Sequence, residues 1–159
     1  MLTINILCVG KIKENYLKQA INEYSKRLSK YCNLNIIEVS DEKVPDKLSD
    51  TIIKSIKDKE TQKMLSHIKK DTYCISLDLK GKQLTSEEFS KKIEEISNIS
   101  SSITFIIGGT LGIGEEIINV SKEKICFSKM TFPHQLIRVF LLEQIFRAFK
   151  ISNNETYHR

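Results

Sequence analysis

The chain has 159 residues, with 25 Lys plus Arg against 20 Asp plus Glu and a net charge of +5. That length suits a single domain, which buries about 68–70% of its unfolded surface and needs no metal or disulfide staple. A composition of 40% hydrophobic and 28% charged residues excludes a disordered chain, and the slight basic excess permits an anionic partner without being a basic tail.

Thr3 to Val9 is an apolar run closed by Gly10, the signal of a buried strand. It has no basic lead-in of the kind a signal peptide carries. No apolar stretch approaches the ~18 residues of a membrane-spanning helix. From Glu14 to Tyr31, Leu17, Ala20, Ile21, Tyr24, Leu28 and Tyr31 recur in steps of three and four, which predicts one helical face. Leu34 to Val39 is a second strand, and Ser40 to Asp50, with Pro45, is a loop. Ile52, Ile53, Ile56, Met64, Leu65 and Ile68 predict a second helix, weaker in its Lys-Asp-Lys-Glu middle. Tyr73 to Leu79 is a third strand, ended by Lys80-Gly81-Lys82.

Thr85-Ser86-Glu87-Glu88 has the spacing of a capping box and opens a helix carrying Phe89, Ile93 and Ile96. Ile103 to Ile107 is a fourth, central strand. Gly108 to Gly114 is a glycine-rich turn into a short helix that ends near Val120. Lys124 to Phe127 is a short fifth strand, Ser128 to Pro133 a loop, and His134 to Ile151 a last helix. That helix is apolar around much of its circumference, so more than one side must be covered, by the sheet and by a second subunit or by further core. Residues 152–159 close the chain as a polar tail. The alternation predicts an α/β single domain over 1–159 with a parallel sheet. Ligands then bind beyond the carboxyl ends of the strands.

The cysteines stand at 8, 32, 74 and 126, with no Cys-x-x-Cys. Three lie in strand-like runs, where a thiol acts as a small hydrophobe. A reducing cytoplasm, no disulfides, no zinc or other metal and no membrane contact are expected.

Three segments at strand ends carry polar chemistry. Gly108 to Gly114 allows close backbone approach to a ligand, but no Gly-Lys-Ser/Thr follows, so it is not a P-loop, and its spacing is wrong for a dinucleotide fingerprint. Phe127 to His134 combines hydroxyls, a thioether and aromatics, a composition able to wrap a flat ring. Tyr157, His158 and Arg159 supply a stacking ring, a titratable nitrogen and a phosphate fork.

Ile107-Gly108-Gly109, then Ser128-Lys129-Met130-Thr131-Phe132-Pro133-His134-Gln135, Arg138, Glu143-Gln144, Arg147 to Ile151 and Tyr157-His158-Arg159 follow one another in that order. Together with Val9-Gly10-Lys11 they resemble the ribosomal large subunit methyltransferase H family of the SPOUT, or trefoil-knot, methyltransferases. The likeness spans nearly the whole chain. It implies a SPOUT-like fold with a C-terminal trefoil knot, and a homodimer. It also implies S-adenosylmethionine as donor and methylation of N3 of a pseudouridine in helix 69 of 23S rRNA within the assembled 70S ribosome. The implied cofactor positions are Leu77, Gly108, Gly109, Phe127, Ser128, Lys129, Met130, Thr131 and Phe132. The implied catalytic tail is Tyr157, His158 and Arg159. This chain has Asn154 and Thr156 where many relatives carry a glycine and a proline before the Tyr-His pair.

An imide nitrogen is nucleophilic only once deprotonated. Arg159 or Lys129 would favour the deprotonated form. His158 is the first candidate base and His134 the second, with helix capping as the other reading of His134. Lys11, Arg138 and His134 are candidate substrate contacts, with Arg138 read as a phosphate ligand. On the residues alone two other classes stay open: a non-catalytic dimeric ribosome-binding factor with a relic cofactor pocket, and a flavin- or dinucleotide-binding α/β protein.

Overall fold

A computed structural model describes residues 1–158. Five strands and five helices follow one another as β1 (Thr3–Val9), α1 (Asn15–Leu28), β2 (Asn33–Val39), α2 (Asp50–Leu65), β3 (Tyr73–Lys82), α3 (Ser86–Ser97), β4 (Ser102–Ile107), α4 (Glu115–Val120), β5 (Glu123–Ile125) and α5 (His134–Ser152). The strands form one sheet in the order β2-β1-β4-β3-β5, and every pairing is parallel. The predicted α/β single-domain fold is the one observed.

Side-chain alternation along the strands splits the core into two layers. On one face Ile4, Ile6, Cys8, Ile103 and Phe105 pack with α1, α3 and α5 through Leu28, Phe89, Ile93, Leu141, Leu142 and Ile145. On the other face Leu7, Val9 and Ile106 pack with Met64 of α2 and Ile117 of α4. All four cysteines are free and buried, and burial pushes the Cys8 thiol up to about 12. Among the described residues no group of His, Cys, Asp and Glu is placed to hold a metal ion. No described helix is long and apolar enough to cross a membrane.

Three boundaries differ from the sequence reading, each for a local reason. α2 begins at Asp50 because the Ser49 hydroxyl accepts the Ile52 amide at 3.2 Å and caps the helix. β3 does not stop at Leu79. It continues to Lys82, which pairs with Ile125 across a register shift between Leu77 and Lys82. That irregularity leaves Asp78, Leu79 and Lys80 to line a cavity. β5 is only Glu123–Ile125, since beyond the Cys126 amide, which bonds to the Lys82 carbonyl at 3.0 Å, the chain leaves the sheet. The capping box is formed as predicted, Thr85 Oγ1 accepting from the Glu88 amide and Glu88 Oε1 accepting from the Thr85 amide.

The expectation that Arg138 contacts phosphate is corrected by its position. The side chain is 1% exposed. Its guanidinium donates to the Val9 carbonyl at 3.1 Å and the Gly10 carbonyl at 2.6 Å, and pairs with Glu38 Oε2 at 2.6 Å. It thus ties α5 to the carboxyl ends of β1 and β2. Removing Glu38 leaves that buried charge with carbonyl partners alone, a change that costs about 3–5 kcal/mol for a fully buried pair. Glu38 is 31% exposed, so Glu38→Ala is expected to lose about 2 kcal/mol once solvent screening is allowed for. Denaturant unfolding measures this; a loss below about 0.5 kcal/mol contradicts the clamp.

Candidate active site

A cavity of about 870 Å³ opens at the carboxyl ends of β3, β4 and β5. This is where an α/β sheet offers free main-chain groups. One wall is Leu77, Asp78, Leu79 and Lys80 of β3. A second is the loop after β4, from Gly108 to Ile113. A third is Cys126, Phe127, Ser128, Met130, Thr131 and Phe132 after β5, with His134 and Ile137 of α5 behind. A smaller cavity of about 270 Å³ shares Ile125 to Ser128 and Phe132 and reaches Phe140 and Gln144.

The glycine loop has a defined shape. Gly112, at φ +89°, donates its amide to the Gly109 carbonyl at 3.0 Å and closes a tight turn. A Cβ at Gly108 would stand 2.7 Å from the Gly112 main chain, a distance real side chains do not adopt. The loop after β5 is held by the Ser128 hydroxyl, which accepts the Met130 amide at 3.0 Å, and by the Cys126 thiol on the Ser128 carbonyl at 2.9 Å. The Phe132 ring meets Phe140 edge-on at 5.4 Å between centroids.

Of the sequence candidates, Leu77, Gly108, Gly109, Phe127, Ser128, Met130, Thr131, Phe132 and His134 converge on this cavity. Lys129 and Lys11 are exposed and are not among its lining residues. Arg138 is buried below it. Arg159 lies outside the described residues.

Tyr157 and His158 fold back on the helices of their own chain, away from the cavity lining. The Tyr157 hydroxyl donates to both Glu143 oxygens at 3.1 Å. Its ring meets Phe146 edge-on at 5.0 Å and lies under the Arg147 guanidinium at 4.8 Å. His158 Nε2 lies 2.6 Å from Glu87 Oε1, and Nδ1 lies 3.0 Å from Arg147 Nη1. A guanidinium only donates, so Nδ1 accepts and Nε2 carries the proton that reaches Glu87. That hydrogen bond holds the Glu87 carboxyl below its usual range.

Several residues in and beside the cavity carry almost no signal of it in the sequence. Asp78 and Glu115 bring carboxylates to the cavity, and Lys57, Lys80 and Lys124 bring cations. The one visible signal was the lone acid Asp78 between two leucines at the end of an apolar run. Glu60 was wholly hidden: it is 3% exposed, accepts the Glu42 amide at 3.0 Å with Oε2, and leaves Oε1 buried without a partner beneath Gly109. Burial raises its carboxyl above the ordinary carboxylate range, partly offset by the Glu42 amide.

The cavity suits S-adenosylmethionine. Leu77, Phe132 and Ile137 give apolar surface for a flat base, and main-chain groups at Gly108, Gly109, Phe127 and Ser128 would meet its ring nitrogens. Asp78 and Glu115 would accept from ribose hydroxyls. Its volume falls within the 300–1,000 Å³ or so typical of small-molecule sites.

Comparisons with known proteins agree with this architecture. A family model described as predicted SPOUT methyltransferase matches residues 2–158. A solved structure described as a probable methylase family protein from Haemophilus influenzae Rd KW20 shares the fold, with a TM-score of 0.54 over 98% of this chain and 70% of that chain at 11% identity. The chain therefore has the fold of a SPOUT methyltransferase. Ribosomal RNA large subunit methyltransferase H of Clostridium botulinum (strain Langeland / NCTC 10281 / Type F) is 57% identical over 159 residues, covering 99% of this chain and 100% of its own. The protein of the same name from Clostridium acetobutylicum is 55% identical over the same spans. The chain belongs to the ribosomal RNA large subunit methyltransferase H family.

Two outcomes are expected. Gly108→Ala displaces the glycine turn and is expected to weaken S-adenosylhomocysteine binding at least ~10-fold by calorimetry, which is 1.4 kcal/mol; unchanged affinity contradicts the role given to the loop. Glu60→Gln keeps an acceptor for Glu42 and removes a charge whose ionisation opposes folding above its raised pKa. It is expected to raise Tm at neutral pH, with the gain vanishing below about pH 4, where wild type is protonated both folded and unfolded. A neutral-pH Tm that falls, or a gain that grows on acidification, contradicts this.

Proposed function

We propose that this protein transfers the methyl group of S-adenosylmethionine to large-subunit ribosomal RNA, at N3 of a pseudouridine in helix 69 of 23S rRNA within the assembled 70S ribosome. The observation that carries the reading is the cavity where β3, β4 and β5 end: the residues of the motif shared with the family converge there on a space of nucleoside size. Full-length identity of 55–57% to relatives named for ribosomal RNA methylation supports the substrate class.

The donor supplies an electrophilic methyl group on a sulfonium. This chain's part is positional. Main-chain groups of Gly108, Phe127, Ser128, Met130, Thr131 and Phe132 fix the donor. The loop after β5 and the first turn of α5 leave one side of the cavity for the incoming base. Alignment of donor and acceptor supplies about 7–11 kcal/mol of the barrier reduction in well-oriented reactions, so modest acid–base help suffices. Lys57, Lys80 and Lys124 on the rim oppose the charge of an RNA backbone.

The homodimer and the C-terminal knot are part of the proposal. Phe132 and Phe140 are 38% and 36% exposed and in edge contact, a patch suited to a second chain. The described tail, held by Glu87, Glu143 and Arg147, has a fixed conformation from which to act at such an interface. Tyr157 is assigned to stacking on the base, and Arg159 and Lys129 to favouring its deprotonated form.

The test uses ribosomes from a strain lacking the gene, incubated with the protein and S-adenosylmethionine, with the methyl group mapped by mass spectrometry. One methyl group on the helix 69 pseudouridine is expected. Methylation elsewhere overturns the substrate assignment, and none overturns the activity. Single-turnover rates of Tyr157→Ala, His158→Ala and Arg159→Ala are expected to fall. Near-wild-type rates in all three remove the tail from the mechanism.

A further inference from the structure

Two histidines are available to the proposed reaction, and hydrogen-bond accounting separates them. His158 has both ring nitrogens engaged, Nε2 toward Glu87 and Nδ1 toward Arg147. An imidazole that donates at one nitrogen and accepts at the other has no free lone pair.

His134 differs at every point. It is the first residue of α5 and lines the cavity, next to the loop that carries Thr131 and Phe132. Its Cε1 lies 3.5 Å from where a Cβ on Gly10 would stand, so the ring is wedged against the end of β1. Its Nδ1 is buried and has no partner. Burial and the Arg138 guanidinium hold its pKa below the usual imidazole value, with Asp41 opposing them. The positive end of α5 acts in the same direction as Arg138. The remaining charged groups around the cavity are Asp78, Glu115, Lys57, Lys80 and Lys124. These effects favour the neutral ring, and Nε2, unlike the sealed Nδ1, is open and makes no hydrogen bond to the described residues.

We propose that His134 is the proton acceptor of the transfer, taking the N–H proton from the RNA base at the nitrogen to be methylated. The inference rests on the reading of the chain as an RNA methyltransferase. The acceptor nitrogen gives its proton to Nε2 of His134, the ring nitrogen that is not sealed inside the protein, while the buried Nδ1 keeps the ring's own proton. Its electron pair forms the new N–C bond as the donor's C–S bond breaks, and the electrons of that bond stay on sulfur. The imidazolium, stabilised by Asp41 and opposed by Arg138, returns its proton to water.

The experiment uses the full chain on unmodified ribosomes in single turnover. His134→Ala and His134→Gln are expected to be about 10²–10⁴-fold slower, the usual contribution of a general base. Their affinity for S-adenosylhomocysteine is expected to stay within about threefold of wild type, ~0.6 kcal/mol by calorimetry. The gap is expected to narrow at alkaline pH, where the imide ionises unaided, a response that a merely structural defect does not give. His67→Gln, in the exposed turn that follows α2, serves as the control and is expected to keep the wild-type rate. Independently of activity, NMR titration of the wild-type ring is expected to give a midpoint below the ordinary value of about 6.5.

The proposal is overturned if His134→Ala keeps pace with wild type, if the deficit is the same at every pH, or if the ring titrates at or above the ordinary value. Should the alanine variant fold poorly, His134→Gln and the titration decide. A wild-type chain that methylates no RNA removes the underlying reading, an outcome distinct from a wild type that methylates while the His134 variants keep pace.

Discussion

The Arg138 guanidinium is the contact on which the geometry of the site depends. A charge this deeply buried is tolerated only where it is paired and hydrogen-bonded. Here the partners are the Glu38 carboxylate and the carbonyls at the end of β1, Val9 and Gly10. Those partners belong to two strands, while Arg138 belongs to the last helix. The pair thus fixes α5 over the carboxyl edge of the sheet. One turn earlier on the same helix stands His134, whose reluctance to take a proton comes first from its burial and then from that fixed charge.

From this fixed point the cavity follows with few further requirements. β3 bulges between Leu77 and Lys82 and opens its side of the space. The turn after β4 is shaped by the lack of side chains at Gly108 and Gly112. The loop after β5 is stitched by Ser128 and Cys126 to its own backbone. In the proposed function a flat, hydrogen-bonding ligand would be read mainly by main chain, since a side chain at Gly108 would collide with the Gly112 backbone. The aromatic and carboxylate cluster of the tail forms a second rigid unit, in which Glu143 accepts from Tyr157 and Arg147 while Glu87 pairs with His158.

Much of this was legible in the residues. Period-three-and-four spacing and apolar runs located all ten elements, and Thr85 and Glu88 announced their cap. The motif residues from Phe127 to Phe132, other than Lys129, met at the cavity together with Leu77, Gly108 and Gly109. What stayed hidden depends on contacts distant in sequence. Arg138 looks like a phosphate ligand until Glu38, one hundred residues away, is placed beside it. Glu60 sits in a charged stretch of α2 and gives no hint that it is buried against Gly109. That both ring nitrogens of His158 are engaged, by Glu87 and Arg147, is likewise something no local pattern encodes.

The proposed function requires a nucleoside sulfonium to lodge among the ends of β3, β4 and β5. A crystal structure of the protein grown with S-adenosylhomocysteine tests it most directly. The account predicts the adenine against Leu77 and Ile137, main-chain contacts at Gly108 and Phe127, and the thioether sulfur facing the open side beside His134. Density for the ligand at any other surface, with this cavity left to water, would contradict it.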